Sequence, residues 1–320
     1  MGLKENVAAR LRSSRAAWTA YNLLHYRELK RNADHYRRLG IRRSVVAPIA
    51  HRDIGERGGE PAWLDRPDAK TALARRADRE SFEPEIRSKV ERFIDDGFLI
   101  LEGHLSPQRV DEVNAEIQRL FDEGVVKYHP LSPRVMNAFE HSEAIDHVVE
   151  DPELLRLLSF ILGRQAVLFQ TINFFTGSQQ AAHSDSFHMT TEPPGYLTAI
   201  WVALEDVEPG SGPLFYYPGS HRLPYVMTED LGERRADEQS KEDSYSRRIA
   251  ELVSDSGIEP VEFYARKGDL LIWHANLLHG GRGIEREGAT RKSLVAHYFG
   301  EGVLCYHEST ERPALVRSPS

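Results

Sequence analysis

Ala166-Val167-Leu168-Phe169-Gln170-Thr171-Ile172-Asn173-Phe174-Phe175 opens the part of the chain whose reading decides the fold. Its apolar, β-branched and aromatic residues come in short bursts, and the same texture returns at Leu197 to Leu204, Leu214-Phe215-Tyr216, Val261 to Tyr264, Leu270 to Trp273 and Ser293 to Phe299. Such bursts between turn signals predict strands. Upstream the pattern is helical. A helix is expected from about Ser81-Phe82-Glu83-Pro84 to Asp95, then a buried strand over Gly97 to Leu101. A second helix follows Leu105-Ser106-Pro107, with Val110, Val113, Ile117 and Leu120 on one face and a stop at Gly124; a third spans Pro152 to Leu162. Helices first and many strands afterwards predict a mainly β core with flanking helices, for which a jelly roll fits best.

The remainder of the chain is read as appendages to that core. Residues 1–80 are expected to form a helical, basic extension and linker, 81–310 the core, and 311–320 a tail. From Lys4 to about Leu39 one or two amphipathic helices are expected, with Val7, Leu11, Trp18, Tyr21 and Leu24 on one face. Residues 45–80, rich in Pro, Gly and charge, read as an extended connection draped over the surface. A polar, helix-prone insertion at about 225–256 is expected to serve either as a lid or binding element, or as a solvated excursion or dimer contact.

Composition narrows the function classes. Residues 1–43 hold eleven Lys and Arg against three Asp and Glu, whereas the whole chain carries −8, so a basic arm is joined to an acidic body. The arm is expected to lie against its own body or a second subunit, giving a possible homo-oligomer, rather than against nucleic acid, for which no module is present. No apolar run approaches bilayer-spanning length, and the start Met1-Gly2-Leu3-Lys4 has no export-type h-region, so no membrane partner and a cytoplasmic setting are expected. The single cysteine, Cys305, excludes an intramolecular disulfide and a Cys-rich metal site.

The chemistry concentrates in Gln180-Ala181-Ala182-His183-Ser184-Asp185-Ser186-Phe187-His188. On an extended backbone His183 and Asp185 point the same way, so both can reach one metal. His279, in an apolar run ending at Gly280-Gly281, is a reasonable third ligand, with His274 and His297 as competitors. Two imidazoles and a carboxylate leave three sites of an octahedral Fe(II) open, but they also suit zinc. Twelve residues after His279, Arg291 and Ser293 alternate onto one strand face. A guanidinium fork with a hydroxyl suits a carboxylate held end-on.

These motifs together resemble the phytanoyl-CoA dioxygenase group of Fe(II)/2-oxoglutarate oxygenases from roughly Phe93 to Phe299. The resemblance is carried by Asp95 to Gly103, His183-Ser184-Asp185, Trp201 to Val207, Gly212-Pro213-Leu214, Pro218-Gly219-Ser220-His221, Lys267 to Leu271, His279-Gly280 and Arg291. The first ninety residues fall outside it. It implies a double-stranded β-helix of cupin type, with iron held by His183, Asp185 and His279. It also implies 2-oxoglutarate held by Arg291 with help from Ser293, and O2 as the other co-substrate. The strand Gln170 to Phe174 is similar to the one that offers an Asn to the co-substrate in ectoine hydroxylases, which assigns that role to Asn173. Trp201 is expected to brace the co-substrate or to be a core aromatic. His188, Gln170 and Phe187 are expected at the substrate pocket. The expected activity is hydroxylation of a small molecule with release of succinate and CO2. The competing classes are a non-catalytic jelly-roll module for a carbohydrate or small acid, and a zinc hydrolase.

Overall fold

In the computed structural model, which describes residues 15–54, 59–129, 132–232 and 238–315, the apolar bursts form strands and the 3.6-period segments form helices. The strands are β1 (Phe98–Leu101), β2 (Tyr128–His129), β3 (Ser132–Met136), β4 (Ala166–Phe174), β5 (Thr190–Glu192), β6 (Leu197–Ala203), β7 (Leu214–Tyr216), β8 (Val261–Phe263), β9 (Leu270–His274), β10 (His279–Gly281), β11 (Ser293–Gly300), β12 (Leu304–His307) and β13 (Arg312–Pro313). The α-helices are α1 (Arg15–Leu24), α2 (Tyr26–Leu29), α3 (Asn32–Arg38), α4 (Ala69–Arg75), α5 (Pro84–Asp96), α6 (Pro107–Asp122), α7 (Glu143–Val149), α8 (Pro152–Leu162), α9 (Asp185–His188) and α10 (Glu238–Ser256). Helices hold more residues than strands, but they lie outside the β core.

All strand pairs are antiparallel. A large sheet runs β1-β9-β6-β11-β4-β3-β2, a smaller one β10-β7-β8, and a third β13-β12-β5. Because strand side chains alternate, the large sheet has two different faces. Ile200, Val202, Leu270, Ile272, Leu294 and Ala296 pack against α5 to α8. Ala199, Trp201, Ala203, Leu271, Trp273 and Val295 face the smaller sheet through Leu214, Tyr216 and Phe263. Both faces of β6, β9 and β11 are therefore buried, which is why these strands read as continuous apolar runs rather than alternating ones. The sandwich between the large and small sheets is the double-stranded β-helix, and its interior holds the site.

The outer helices stop where their sequences direct. Ser106 caps α6 by accepting from the Arg109 amide at 3.3 Å, and Asp151 caps α8 by accepting from Leu154 at 2.9 Å; each cap contributes about 1 kcal/mol. Helix α5 ends at Gly97, whose φ of 78° is left-handed and where a Cβ would stand 2.4 Å from the His221 ring.

Two expectations for the N-terminal region are overturned. Among the described residues 15–39, three short helices stand where one or two long ones were expected, and the chain turns at His25 and Arg31, so the apolar period is not carried through there. Tyr21 and Leu24 are consequently exposed, at 42% and 86%, while Leu29 and Tyr36 are buried; Val7 and Leu11 lie outside the described residues. Residues 45–54 are not a surface drape either. Val45, Val46, Ile49 and Ile54 form one buried cluster with Leu304 and Tyr306 of β12. The irregular backbone is tolerated there because Ile49 donates to the Glu311 carbonyl at 3.0 Å and the His51 amide donates to the Glu308 carboxylate at 2.8 Å.

Candidate metal centre and co-substrate pocket

His183 and His279 are cross-strand neighbours. They form an isolated antiparallel bridge in which each amide donates to the other's carbonyl at 2.9 Å, and their rings lie 4.5 Å apart. Directly opposed residues project to the same side, so the backbone itself brings the imidazoles together. Each Nδ1 donates to a carbonyl two residues back, Ala181 and Leu277 respectively, at 2.9 Å. That arrangement fixes the tautomer and turns both Nε2 lone pairs to the same space. Asp185 arrives differently from the extended geometry expected. The chain turns at Ser184, whose hydroxyl caps the short α9 by accepting from the Ser186 amide at 3.1 Å, and Asp185 is the first residue of that turn. Its Oδ2 accepts from the Trp273 indole at 2.8 Å, leaving Oδ1 3.7 Å from His279 Nε2. One ligand atom from each of the three buried residues falls within 4.8 Å of the others.

The electrostatics favour a metal-ready state at neutral pH. Burial pushes the Asp185 carboxyl upward, but the imidazoles of His279, His297 and His183 outweigh it and hold the group well below the usual carboxylate range. Burial, with the neighbouring His279 and His188, pushes His183 down to about 3. A carboxylate beside a neutral imidazole needs to lose no proton before binding a cation. The competing histidines are placed elsewhere. His274 sets Nε2 3.2 Å from Asp65 and accepts from the Asn276 amide at Nδ1. His297 lies near the centre, 3.6 Å from Asp185 Oδ2, but outside the three-ligand group.

A cavity of about 490 Å³ opens beside this group. Arg291 lines it and is 2% exposed; its Nη1 donates to the Gly212 carbonyl at 3.1 Å, while its Nε has no partner among the described residues. Burial pulls its pKa down to about 10. Ser293 and Trp201 stand opposite Ala203 and Val295 in the β6–β11 ladder, on the cavity face, and both the Ser293 hydroxyl and the Trp201 Nε1 are buried without a partner among the described residues. Three unpaired polar groups on one inner wall are what a buried carboxylate would satisfy. The residues present thus fit both an octahedral metal and an acid anchored beside it.

Residues 93–292 match the phytanoyl-CoA dioxygenase (PhyH) family. The chain belongs to that family. The ectoine dioxygenase of Nocardia farcinica (strain IFM 10152) is 33% identical over 211 residues, covering 58% of this chain and 68% of that one. The ectoine dioxygenase of Stutzerimonas stutzeri (strain A1501) is 28% identical over 279 residues, covering 80% and 90%. Among solved structures, the non-heme alpha ketoglutarate dependent carbocyclase SnoK from nogalamycin biosynthesis superposes with a TM-score of 0.58 at 16% identity, covering 76% of this chain and 96% of that one. As a member of the phytanoyl-CoA dioxygenase family the protein is a non-haem iron, 2-oxoglutarate-dependent dioxygenase. No helix among its described residues is long and apolar enough to cross a membrane.

Within this family member the structure relocates two of the expected site residues. Gln170, Ile172 and Phe174 of β4 line the cavity, so Asn173, one residue out of phase, faces the opposite side, into a hollow formed with Asn114, Ile117 and Leu204. Strand alternation alone excludes it from the co-substrate wall. Phe187 is fully buried and stacked on Tyr245 at 3.9 Å, away from the cavity, whereas His188 and Gln170 do line it.

Other residues went unnoticed in the sequence. In the sequence Trp273 reads only as part of an apolar run, yet its indole orients Asp185. Tyr245 of α10 receives the Ser184 amide at 2.8 Å, and α10 contributes Tyr245 and Ile249 to a cluster with Phe187, Val226 and Leu278. Among its described residues the insertion is thus not a detached solvated excursion: it packs under the turn that carries Asp185 and contributes Glu242 to the cavity wall; its residues 233–237 lie outside the described residues. The apolar spacing Tyr245, Ile249, Leu252 was the available signal.

Proposed function

We propose that His183, Asp185 and His279 hold the iron, that Arg291 anchors the distal carboxylate of 2-oxoglutarate with Ser293 and Trp201, and that a small-molecule substrate is hydroxylated in the adjoining cavity. The observation that carries this reading is the pairing of a complete three-ligand group with a wall of unpaired buried donors. When bound, iron and the oxo acid supply O2 activation coupled to loss of CO2 and formation of succinate. The chain's own part is placement. Trp273 fixes one oxygen of Asp185 so that the other faces the ligand space, the two backbone carbonyls fix the imidazoles, and the buried Arg291 fork sets the depth to which a dicarboxylate enters. The cavity volume of about 490 Å³ suits a small molecule. Given the named relatives, ectoine is the first compound to test.

A zinc hydrolase has no use for a buried acid anchor, and membership of a dioxygenase family disfavours a non-catalytic module for a small acid. The cytoplasm is the compartment we assign. The exposed Tyr21, Leu23, Leu24 and Tyr26 of α1 and α2 mark where a second copy would dock if the protein self-associates. The deciding experiment is anaerobic addition of Fe(II) and then 2-oxoglutarate. A visible charge-transfer band supports the assignment; tight Zn(II) binding with no such band overturns it.

A further inference from the structure

The cavity carries one cation more than the metal and the oxo acid account for. Its walls include three guanidiniums, Arg134, Arg291 and Arg312, against two carboxylates, Asp185 and Glu242. A divalent metal and a dianionic oxo acid cancel one another, so one positive charge remains once both are bound. Arg312 is engaged: it bonds to Thr310 at 2.8 Å and stacks over Trp18 of α1 at 3.9 Å. Arg134 is not. Its guanidinium has no hydrogen-bond or ion-pair partner among the described residues, its Nε is buried, and that burial lowers its pKa. Leaving an unpaired guanidinium in a cavity is costly unless something pairs with it there.

Its position separates it from the co-substrate anchor. Across the large sheet Ala203, Ser293, Phe174 and Arg134 stand in one row on β6, β11, β4 and β3. Arg134 is therefore two strands from Ser293, or about 10 Å at the usual strand spacing. Met136, its neighbour on the same face of β3, also lines the cavity, as do His188 and Gln170. His188 in turn lies 5.5 Å, ring to ring, from the candidate ligand His183. Arg134 thus lines the same cavity as Arg291 but from β3, two strands across the sheet from Ser293.

We propose that Arg134 is a substrate-recognition residue and that the substrate is a small molecule bearing a single anionic group, a carboxylate or a phosphate, which pairs with this guanidinium while the rest of the molecule reaches the metal. The proposal rests on the oxygenase reading for the identity of the co-substrate, but not for the unpaired cation.

The test uses simple probes on the full chain. Acetate, benzoate and inorganic phosphate, with acetamide and benzamide as neutral counterparts, are titrated calorimetrically into the anaerobic Fe(II) protein saturated with 2-oxoglutarate. At least one acid is expected to bind saturably and the amides are not. Arg134→Met is expected to weaken that acid roughly 10- to 100-fold, as for loss of a charge-assisted bond. Arg134→Lys should recover part of the loss, and the 2-oxoglutarate dissociation constant should stay within about twofold, since its anchor is elsewhere. The preference between carboxylates and phosphate identifies the group. The proposal is overturned if no acid binds, if the amides bind equally well, or if Arg134→Met weakens 2-oxoglutarate as much as the probes. Repeating the titration on metal-free Arg291→Ala protein separates the two readings. Acid binding that persists there and is lost in Arg134→Met upholds Arg134 even if no charge-transfer band ever forms.

Discussion

The two halves of the site are built on opposite principles. Around the proposed metal ligands the polar groups that orient them are paired: His183 and His279 through Nδ1 to carbonyls, Asp185 through Oδ2 to Trp273, and the Ser184 amide to Tyr245. On the proposed co-substrate wall Arg291 Nε, Ser293 Oγ and Trp201 Nε1 are buried and unpaired among the described residues, a deficit of about 1–3 kcal/mol for each group. The metal half is thus pre-organised by the fold's own hydrogen bonds, whereas the acid half is completed only by its ligand. Substitutions in the first should act on metal affinity, and those in the second on co-substrate affinity.

The largest effect is expected for Asp185→Ala, which removes the one anionic member of the proposed His183, Asp185, His279 ligand group. Iron affinity, followed by competition with a chelator, should fall by more than the roughly 10- to 100-fold typical of losing an outer partner, and the charge-transfer band should vanish. Arg291→Ala should leave iron binding intact and raise the KM for 2-oxoglutarate by about 100-fold, with Arg291→Lys restoring little because it lacks the bidentate fork. If Arg291→Ala instead lost the metal, the two halves would not be separable. Trp273→Phe tests the link between the outer layer and the ligand. It keeps the ring and removes the indole donor, so iron affinity should fall about 10-fold with 2-oxoglutarate affinity little changed.

What could be read from the sequence follows the same division. The fold class was legible because β6, β9 and β11 are buried on both faces and so spell continuous apolar runs, while Ser106-Pro107, Asp151-Pro152 and Gly97 punctuate the helices locally. The three candidate ligands were legible as a pattern of residue types, although the reason they meet is a two-residue bridge and a capped turn rather than one extended strand. Trp273 and Arg134 were not legible, and Tyr245 only through its apolar spacing with Ile249 and Leu252. Their roles depend on long-range placement, Trp273 lying 88 positions from Asp185 in sequence, and nothing in their own neighbourhoods distinguishes an indole that orients a ligand from one that only fills the core. The N-terminal 45–54 segment misled for a related reason: Pro48 and the Gly- and Pro-rich stretch that follows mark irregular backbone, which does not imply exposure once Val45, Val46 and Ile49 find Leu304 and Tyr306.

A smaller, distributed effect is expected with pH. His221 and His307 are both pushed down to about 3, chiefly by burial, with His274 acting on the first and Arg312 on the second. Asp65 opposes and Arg222 reinforces the shift at His221, and His188 reinforces it at His307. In the unfolded chain both titrate near the ordinary histidine value of about 6.5. Below that value the unfolded state binds more protons than the folded one. Their contribution to stability is therefore fully present above about pH 6.5 and is lost progressively as pH falls towards 3. Urea unfolding of the metal-free protein should show this decline, and His221→Gln or His307→Gln should make it shallower. An unchanged slope in both variants would mean that other groups carry the acid sensitivity.

The smallest effect is the most discriminating, because it sets strand geometry against analogy. Similarity to ectoine hydroxylases assigns Asn173 to the co-substrate. The pairing of Asn173 with Val135 and Leu294, residues of the helix-facing core, turns its side chain away from Arg291. Both of its amide atoms are buried without a partner in that outer hollow, so replacing the side chain removes an unsatisfied polar group and leaves a small void, two costs of opposite sign. Asn173→Ala is accordingly expected to leave the KM for 2-oxoglutarate within about twofold and stability within about 1 kcal/mol. A tenfold rise in that KM with an unchanged melting temperature would show that the side chain reaches the acid after all. The paired and unpaired halves would then have to be redrawn with β4 contributing both of its faces to the site.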